Sequence, residues 1–285
     1  MTLDALKRAA SGAMHELRNG PPISSRKARS KVQANSLLNF KCDIYSQRGD
    51  DGLIREIFRR LNLNKGFFVE FGGWDGIYLS NARLLFEKGW GGMFIEGDPI
   101  KAIQLKENYR DYPDIKCVQA FVYPDPSQGR KTLDILCDEN QVEHIDFLSI
   151  DIDGFDLNIF ESLRRRPSLV AIEGGFSRHP QLTHRVPQEI AIKNLQQPLA
   201  VAIQAVEAKG YVPICFNQNL YAVETSFASL FENIEKDAIS LWLDAYYDQT
   251  QQFREELRKV RRLSQDIRDF EARYKDDLTI ELDLD

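Results

Sequence analysis

The sequence predicts an α/β fold: a Rossmann-like, doubly wound, seven-stranded sheet, mostly parallel with an antiparallel C-terminal hairpin strand. Three observations carry that reading. Short apolar runs alternate with helical patterns from residue 50 to residue 209, and such alternation builds a parallel sheet with helices on both faces. The first strand breaks into a Gly-rich turn, VEFGGWDG at 69–76, that leads into a helix. Two final runs, 211–216 and 219–224, are separated only by Asn217 and Gln218, a two-residue hairpin turn that makes one strand antiparallel.

Residues 1–45 pair a short amphipathic pattern (Leu3, Leu6, Ala10, Met14, Leu17) with a Pro, Ser and Arg-rich stretch at 19–31, an N-terminal helix and linker that would cap the domain. Over 50–63, Leu53, Ile54, Ile57, Phe58 and Leu61 recur at helical spacing, and Asp50 and Asp51 suit the positive end of that helix. A strand at 67–71 is cut off by Gly72 and Gly73. There follow a helix at 78–88, a strand at 92–95, a helix opened by Pro99 at 99–109 and a strand at 115–120. A strand at 145–150, a helix at 155–165, a strand at 168–172, a polar loop at 174–187 and a helix at 199–209 complete the alternation. Beyond residue 226, Phe253, Leu257, Val260, Leu263, Ile267, Phe270 and Tyr274 step by 4, 3, 3, 4, 3 and 4 residues. That is the coiled-coil period, compatible with a helix packed on its own domain or with a homodimer. The expected domains are 1–45 (cap), 46–226 (core) and 227–285 (helical extension).

Composition narrows the function. With 43 acidic and 37 basic residues the net charge is −6, so no concentrated basic surface is available for nucleic acid or an anionic membrane. No run of about 18 apolar residues and no signal-peptide core occur, which predicts a soluble, cytoplasmic protein. Cys42, Cys117, Cys137 and Cys215 are scattered with no CxxC pair, as expected of buried reduced thiols.

The chemistry is concentrated at the strand ends. In an open parallel sheet the turn after the first strand lies at the carboxyl edge, where ligands bind. Gly72 and Gly73 let a ligand approach the backbone closely, and Glu70 and Asp75 could accept from a cationic or amine-bearing ligand. Strand two ends in FIEGDP, with Glu96 twenty residues after Gly76, and a carboxylate there can accept both ribose hydroxyls. An adenosine-like ligand follows. A dinucleotide wants GxGxxG at its pyrophosphate, whereas this chain has GGxxG flanked by two carboxylates. Those anions would repel a pyrophosphate and attract the sulfonium and amine of S-adenosylmethionine.

VEFGGWDG, FIEGDP, IDFLSIDIDGFD at 145–156 and the closing GYVPICFNQNLYAVE hairpin together resemble a class I S-adenosylmethionine-dependent methyltransferase, most similar to the FkbM-type family, over residues 45–225. The resemblance implies that Ser46, Gln47, Gly49 and an acid at Asp50 or Asp51, a SQxGxD-like stretch, help close the cofactor pocket. It implies further that Glu70, Gly72, Gly73 and Asp75 cradle the methionine part, Glu96 holds the ribose, and Ser80, Asn81 and Gly97 also bind the cofactor. Gln119, Ala120 and Phe121 would border the adenine, and Asp151 would face the methyl group and acceptor. Gly73 and Trp74 depart from the small or polar residues more usual in this loop.

Asp151, Asp153 and Asp156 lie in SIDIDGFD, and Glu173 closes strand five. If strands four and five are neighbours, Asp151 and Glu173 emerge side by side. Asp151, Asp153 and Glu173 could then hold Mg²⁺, which polarises an acceptor hydroxyl. Without metal, Asp151 or Glu173 could act as general base, with Asp156 capping a helix. His179 and His184 in the following loop are candidate bases, and Arg178 and Arg185 candidate anchors for an acidic substrate. Trp74 could wall the acceptor site, while Trp90 reads as packing and His144 as structural. The expectation is methyl transfer to oxygen of a small acceptor such as a sugar or secondary metabolite, in natural product biosynthesis. The alternatives are N- or C-methylation, an NAD-linked oxidoreductase, and a non-catalytic adenosyl-binding scaffold.

Overall fold

The computed structural model describes residues 33–152, 154–174, 180, 182–186, 196–246 and 248–249. The chain divides into two compact units, 1–245 and 246–285, and the first carries everything below. The expected N-terminal helix, the heptad-spaced tail and any dimer it would form lie outside the described residues.

Seven strands form one sheet in the order β3-β2-β1-β4-β5-β7-β6. They are β1 (Phe67–Phe71), β2 (Gly91–Glu96), β3 (Ile115–Gln119), β4 (Phe147–Ile150), β5 (Leu169–Glu173), β6 (Tyr211–Asn217) and β7 (Asn219–Glu224). The first five run parallel, and β7 inserts antiparallel between β5 and β6. The chain leaves β1 toward β2 and returns to β4 on the other side of β1. This reversal is the switch point at which open α/β sheets bind ligands.

The helices are α1 (Asp50–Leu61), α2 (Arg83–Glu87), α3 (Pro99–Tyr109), α4 (Leu133–Glu139), α5 (Asp156–Ser162) and α6 (Leu199–Ala208). α1 buries the expected stripe of Leu53, Ile54, Ile57, Phe58 and Leu61, and ends at Asn62 in the left-handed region, φ 56°. Phe58 meets Trp90 edge-on at 4.6 Å and Phe147 at 6.1 Å, so α1 is pinned over the starts of β2 and β4. Each such buried side chain is worth about 1.5–3 kcal/mol. α3 opens at Pro99, with the Asp98 carboxylate accepting from the amides of Ile100 at 2.8 Å and Lys101 at 3.0 Å.

Two helices differ from expectation. The helix expected at 78–88 is only Arg83–Glu87, because Ser80, Asn81 and Ala82 bind the Glu70 carboxylate and hold the preceding backbone in a turn. α4 was not foreseen. Thr132 caps it by accepting from Ile135 N at 3.3 Å, and Leu133, Leu136 and Cys137 bury its inner face. Cys137 and Cys215 are buried as expected, but Cys117 is half-buried and Cys42 exposed. No helix among the described residues is long and apolar enough to cross a membrane.

Candidate active site

The carboxyl ends of β1, β2, β3, β4 and β5 converge on one edge, and most of the residues singled out in the sequence stand there. β1 ends at Phe71, and the chain turns at Gly72 with φ +82°, its N–H donating to Ile95 O at 3.2 Å. A Cβ at Gly72 would overlap the carbonyl oxygen of Asp151. Only a glycine lets the turn after β1 and the turn after β4 touch backbone to backbone. A Cβ at Gly73 would lie 3.2 Å from the Glu70 carboxyl carbon.

Glu70 points inward. It is 4% exposed and accepts from Ser80 Oγ at 2.6 Å, Asn81 N at 2.8 Å and Ala82 N at 3.2 Å. Burial pushes its carboxyl up, against those three hydrogen bonds, and the Asp51 charge adds to the rise. Both Glu70 oxygens are engaged by the turn that it builds. Asn81 also donates to Ser149 Oγ at 3.0 Å, tying the turn to β4. Asp75 likewise serves its own loop, Oδ1 accepting from Ile77 N at 2.9 Å and Tyr78 N at 2.8 Å.

Trp74 leans on α3, where Nε1 donates to Gln104 Oε1 at 3.1 Å and Lys101 Nζ stands 4.6 Å from its ring centroid. Trp90 is core, 3% exposed.

On the β2 side, Glu96 is 8% exposed and its Oε1 accepts from Asp98 N at 2.8 Å. Among the described residues no donor meets Oε2, so one carboxylate oxygen stays open to a ligand. Gln119 is the register partner of Glu96, and Ala120 N–H donates to Glu96 O at 3.1 Å. Phe121, 64% exposed, lies over Gly97, where a Cβ would come within 2.5 Å of the ring. Glu96, Gly97, Gln119, Ala120 and Phe121 thus form one cluster at the ends of β2 and β3.

On the β4 side, Ile150 pairs with Ile172, which places Asp151 and Glu173 next to each other on adjacent parallel strands. Asp156 does not cap its own helix. It accepts from Ile152 N at 2.8 Å and Gly154 N at 2.9 Å, bracing the loop that leaves Asp151. Burial pushes the Asp156 carboxyl up to about 6, and the nearby Glu173 charge adds to the rise. Asp153, Arg178 and His179 lie outside the described residues; His184 is exposed and Arg185 pairs with Glu161 at 2.5 Å. Among the described residues no group of three His, Cys, Asp or Glu side chains is set to hold a metal ion.

The 43–51 segment borders the same edge. Asp51 Oδ2 accepts from the amides of Ile44 at 2.8 Å, Tyr45 at 2.7 Å and Ser46 at 2.9 Å, so Asp51 shapes the loop beside Gln47, which is half-buried. Asp50 performs a second task that the sequence did not disclose. Its two oxygens accept from Asn217 Nδ2 at 2.9 Å and Asn219 Nδ2 at 3.2 Å, joining this segment to the β6–β7 turn beside Glu173.

The site fits an S-adenosyl ligand in three respects. It has bare glycine backbone at the switch point, an open carboxylate oxygen on Glu96, and an exposed aromatic ring beside that carboxylate. Residues 126–196 match the model of the methyltransferase FkbM domain. No curated protein matches the chain. Among solved structures, one described as a caffeoyl-CoA O-methyltransferase from Staphylococcus aureus is 14% identical over 78% of this chain and 97% of its own, with a TM-score of 0.42. A TehB-like SAM-dependent methyltransferase from Corynebacterium glutamicum is 12% identical over 78% and 100%, at 0.37. A fibrillarin pre-rRNA processing protein from Methanococcus jannaschii is 13% identical over 57% and 67%, at 0.36. Likenesses this remote bear on neither activity nor substrate. The family that the motifs resemble and the family whose model matches residues 126–196 are the same, and the matched segment holds the turn after β4 and the end of β5.

Proposed function

We propose that the chain uses S-adenosylmethionine to methylate an oxygen of a small acceptor, such as a sugar or a secondary metabolite. The observation that carries this reading is the split edge. A glycine turn with the open Glu96 carboxylate lies on one side of the switch point, and the adjacent acids Asp151 and Glu173 on the other.

In this reading the backbone at Gly72 and Gly73 makes room for the methionine part of the cofactor. Glu96 Oε2 accepts from a ribose hydroxyl, and Gln119, Ala120 and Phe121 border the adenine. The cofactor supplies an activated methyl group on a sulfonium. The protein holds the acceptor in line and takes its proton, so orientation contributes much of the rate. Asp151 or Glu173 is the proton acceptor. A magnesium-assisted version would use Asp151, Asp153 and Glu173 to polarise the acceptor hydroxyl, and a chelator that halts turnover would identify it.

Calorimetric titration with S-adenosylhomocysteine and with NAD tests the cofactor. Binding of the first is expected, and binding of NAD alone would sink the reading. Glu96→Ala is expected to weaken S-adenosylhomocysteine about tenfold or more while leaving the melting temperature nearly unchanged, as for a lost charged hydrogen bond. Turnover is read with methyl-labelled cofactor across a panel of hydroxylated acceptors. Asp151→Ala should lower it by about two orders of magnitude or more and spare the fold, the size usual for a positioned general base. Near-normal turnover by that variant would remove Asp151 from its role, and cofactor binding with no transfer to any acceptor would favour a scaffold.

A further inference from the structure

Arg83 opens α2, yet its side chain is only 16% exposed. Its guanidinium carbon lies 5.5 Å from the ring centroid of Tyr45, 4.8 Å from Phe86 and 5.7 Å from Tyr109. Nη1 donates to the Tyr109 hydroxyl at 3.2 Å, and that hydroxyl donates onward to Gly76 O at 2.5 Å. Nε donates to Glu87 at 2.9 Å, which fixes the plane of the guanidinium from the outer side. The Arg83 amide donates to Ser80 Oγ at 3.0 Å, the same hydroxyl that binds Glu70.

One cation therefore contacts Tyr45 and Tyr109 directly and the glycine turn through the Tyr109 hydroxyl. Tyr45 belongs to the strap at 44–46, whose amides are gathered by Asp51. Gly76 belongs to the glycine turn, and Tyr109 ends α3 behind it. Among the described residues no hydrogen bond runs directly from 43–49 to 72–82. The stacking of Tyr45 on Arg83 is thus the polar link between the two sides of the candidate pocket. A flat guanidinium can stack on rings and donate in its own plane at the same time, which an ammonium cannot.

We propose that Arg83 is a positioning residue for the cofactor, holding the 44–46 strap against the glycine turn so that both borders of the S-adenosyl pocket are set before the ligand arrives. The assignment rests on the methyltransferase reading above. A purely structural role would cost stability and leave affinity alone. A positioning role couples Tyr45 to Arg83 in the binding free energy, because the strap loses its register when either partner is removed.

The test is titration of the full chain with S-adenosylhomocysteine for the wild type, R83A, Y45A, Y45F and the R83A/Y45A double variant, with melting temperatures taken without ligand. R83A and Y45A should each weaken binding about tenfold, the scale of a desolvated cation–π contact with its hydrogen bond. Y45F keeps the ring and should bind within about twofold of wild type, and the double variant should be little weaker than either single one. Y45A lies on the strap and answers the question even if R83A does not fold. Wild-type binding with Y45A unchanged, or with the two losses fully additive, overturns the assignment alone. A wild-type chain that binds no S-adenosylhomocysteine overturns the methyltransferase reading and the assignment together.

Discussion

Gly72→Ala is expected to cost about 3 kcal/mol or more in urea unfolding and to abolish S-adenosylhomocysteine binding. Two independent penalties fall on one methyl group. The backbone φ of +82° is one that an L side chain adopts only with strain, worth about 1–3 kcal/mol. The new Cβ would also overlap the Asp151 carbonyl oxygen, a backbone atom that cannot rotate away. To accept the methyl group, the turns after β1 and β4 must separate, which unseats Asp151 from the edge it shares with Glu173. Gly129→Ala is the control, since φ is +73° there and nothing lies within 4 Å of its Cβ. It should show the strain alone and bind ligand normally. A Gly72→Ala protein within about 0.5 kcal/mol of wild type would mean that the two turns are not in contact.

How much of this was legible in the sequence depends on the range of the interaction. Local chemistry was readable: Asp98 and Pro99 announce a helix start, Gly72 and Gly73 announce a turn at a strand end, and Asn217 and Gln218 announce a hairpin. The strand and helix alternation then gave the parallel sheet, and with it the edge where Glu96, Asp151 and Glu173 stand. What could not be read is which partner each acid finds. Glu70 ends a strand, and its three donors come from ten to twelve residues further on, beyond the reach of a local pattern. Those donors also shorten the helix expected at 78–88. Arg83 carried no signal, since an arginine at the head of an amphipathic pattern reads as solvated and its three aromatic partners come from positions 45, 86 and 109. α4 was missed for a different reason: seven residues are too few for periodicity to emerge, although Thr132 with Asp134 in the first turn was a local start signal.

Stability is expected to peak between about pH 4 and pH 5 and to fall toward neutrality, the reverse of the usual profile, in which stability is greatest between about pH 5 and 8. Burial pushes the Asp50 carboxyl from 3.8 up to about 6, opposed by donors on Asn217 and Asn219, by the Tyr221 hydroxyl beside it and by the Lys41 charge. That hydroxyl is itself buried outside hydrogen-bonding geometry, so the offset comes chiefly from the two asparagines. Asp156 is pushed to about 6 by the same cause, with the Glu173 charge adding to it. A folded-state value above the unfolded one means that the native state binds the proton more tightly. The associated stability is complete below about pH 4 and is lost as pH rises through 6, on the order of 2 to 3 kcal/mol for each carboxyl. Glu56 acts in the opposite sense: Arg59 and Arg60 hold it down at about 2, so its contribution is present above 4.5 and disappears as pH falls through 2. The two trends cross on the mildly acidic side. Urea midpoints at pH 4.5 and 7.5 check this, with the higher midpoint expected at 4.5. Asp156→Asn should narrow the difference by removing one of the two titrating groups. A wild-type midpoint that rises from pH 4.5 to 7.5 would show that Asp50 and Asp156 are ionised in the native state at little cost. In that case the polar contacts joining α1 to the β6–β7 turn, and the loop after β4 to α5, would be stronger than their burial allows.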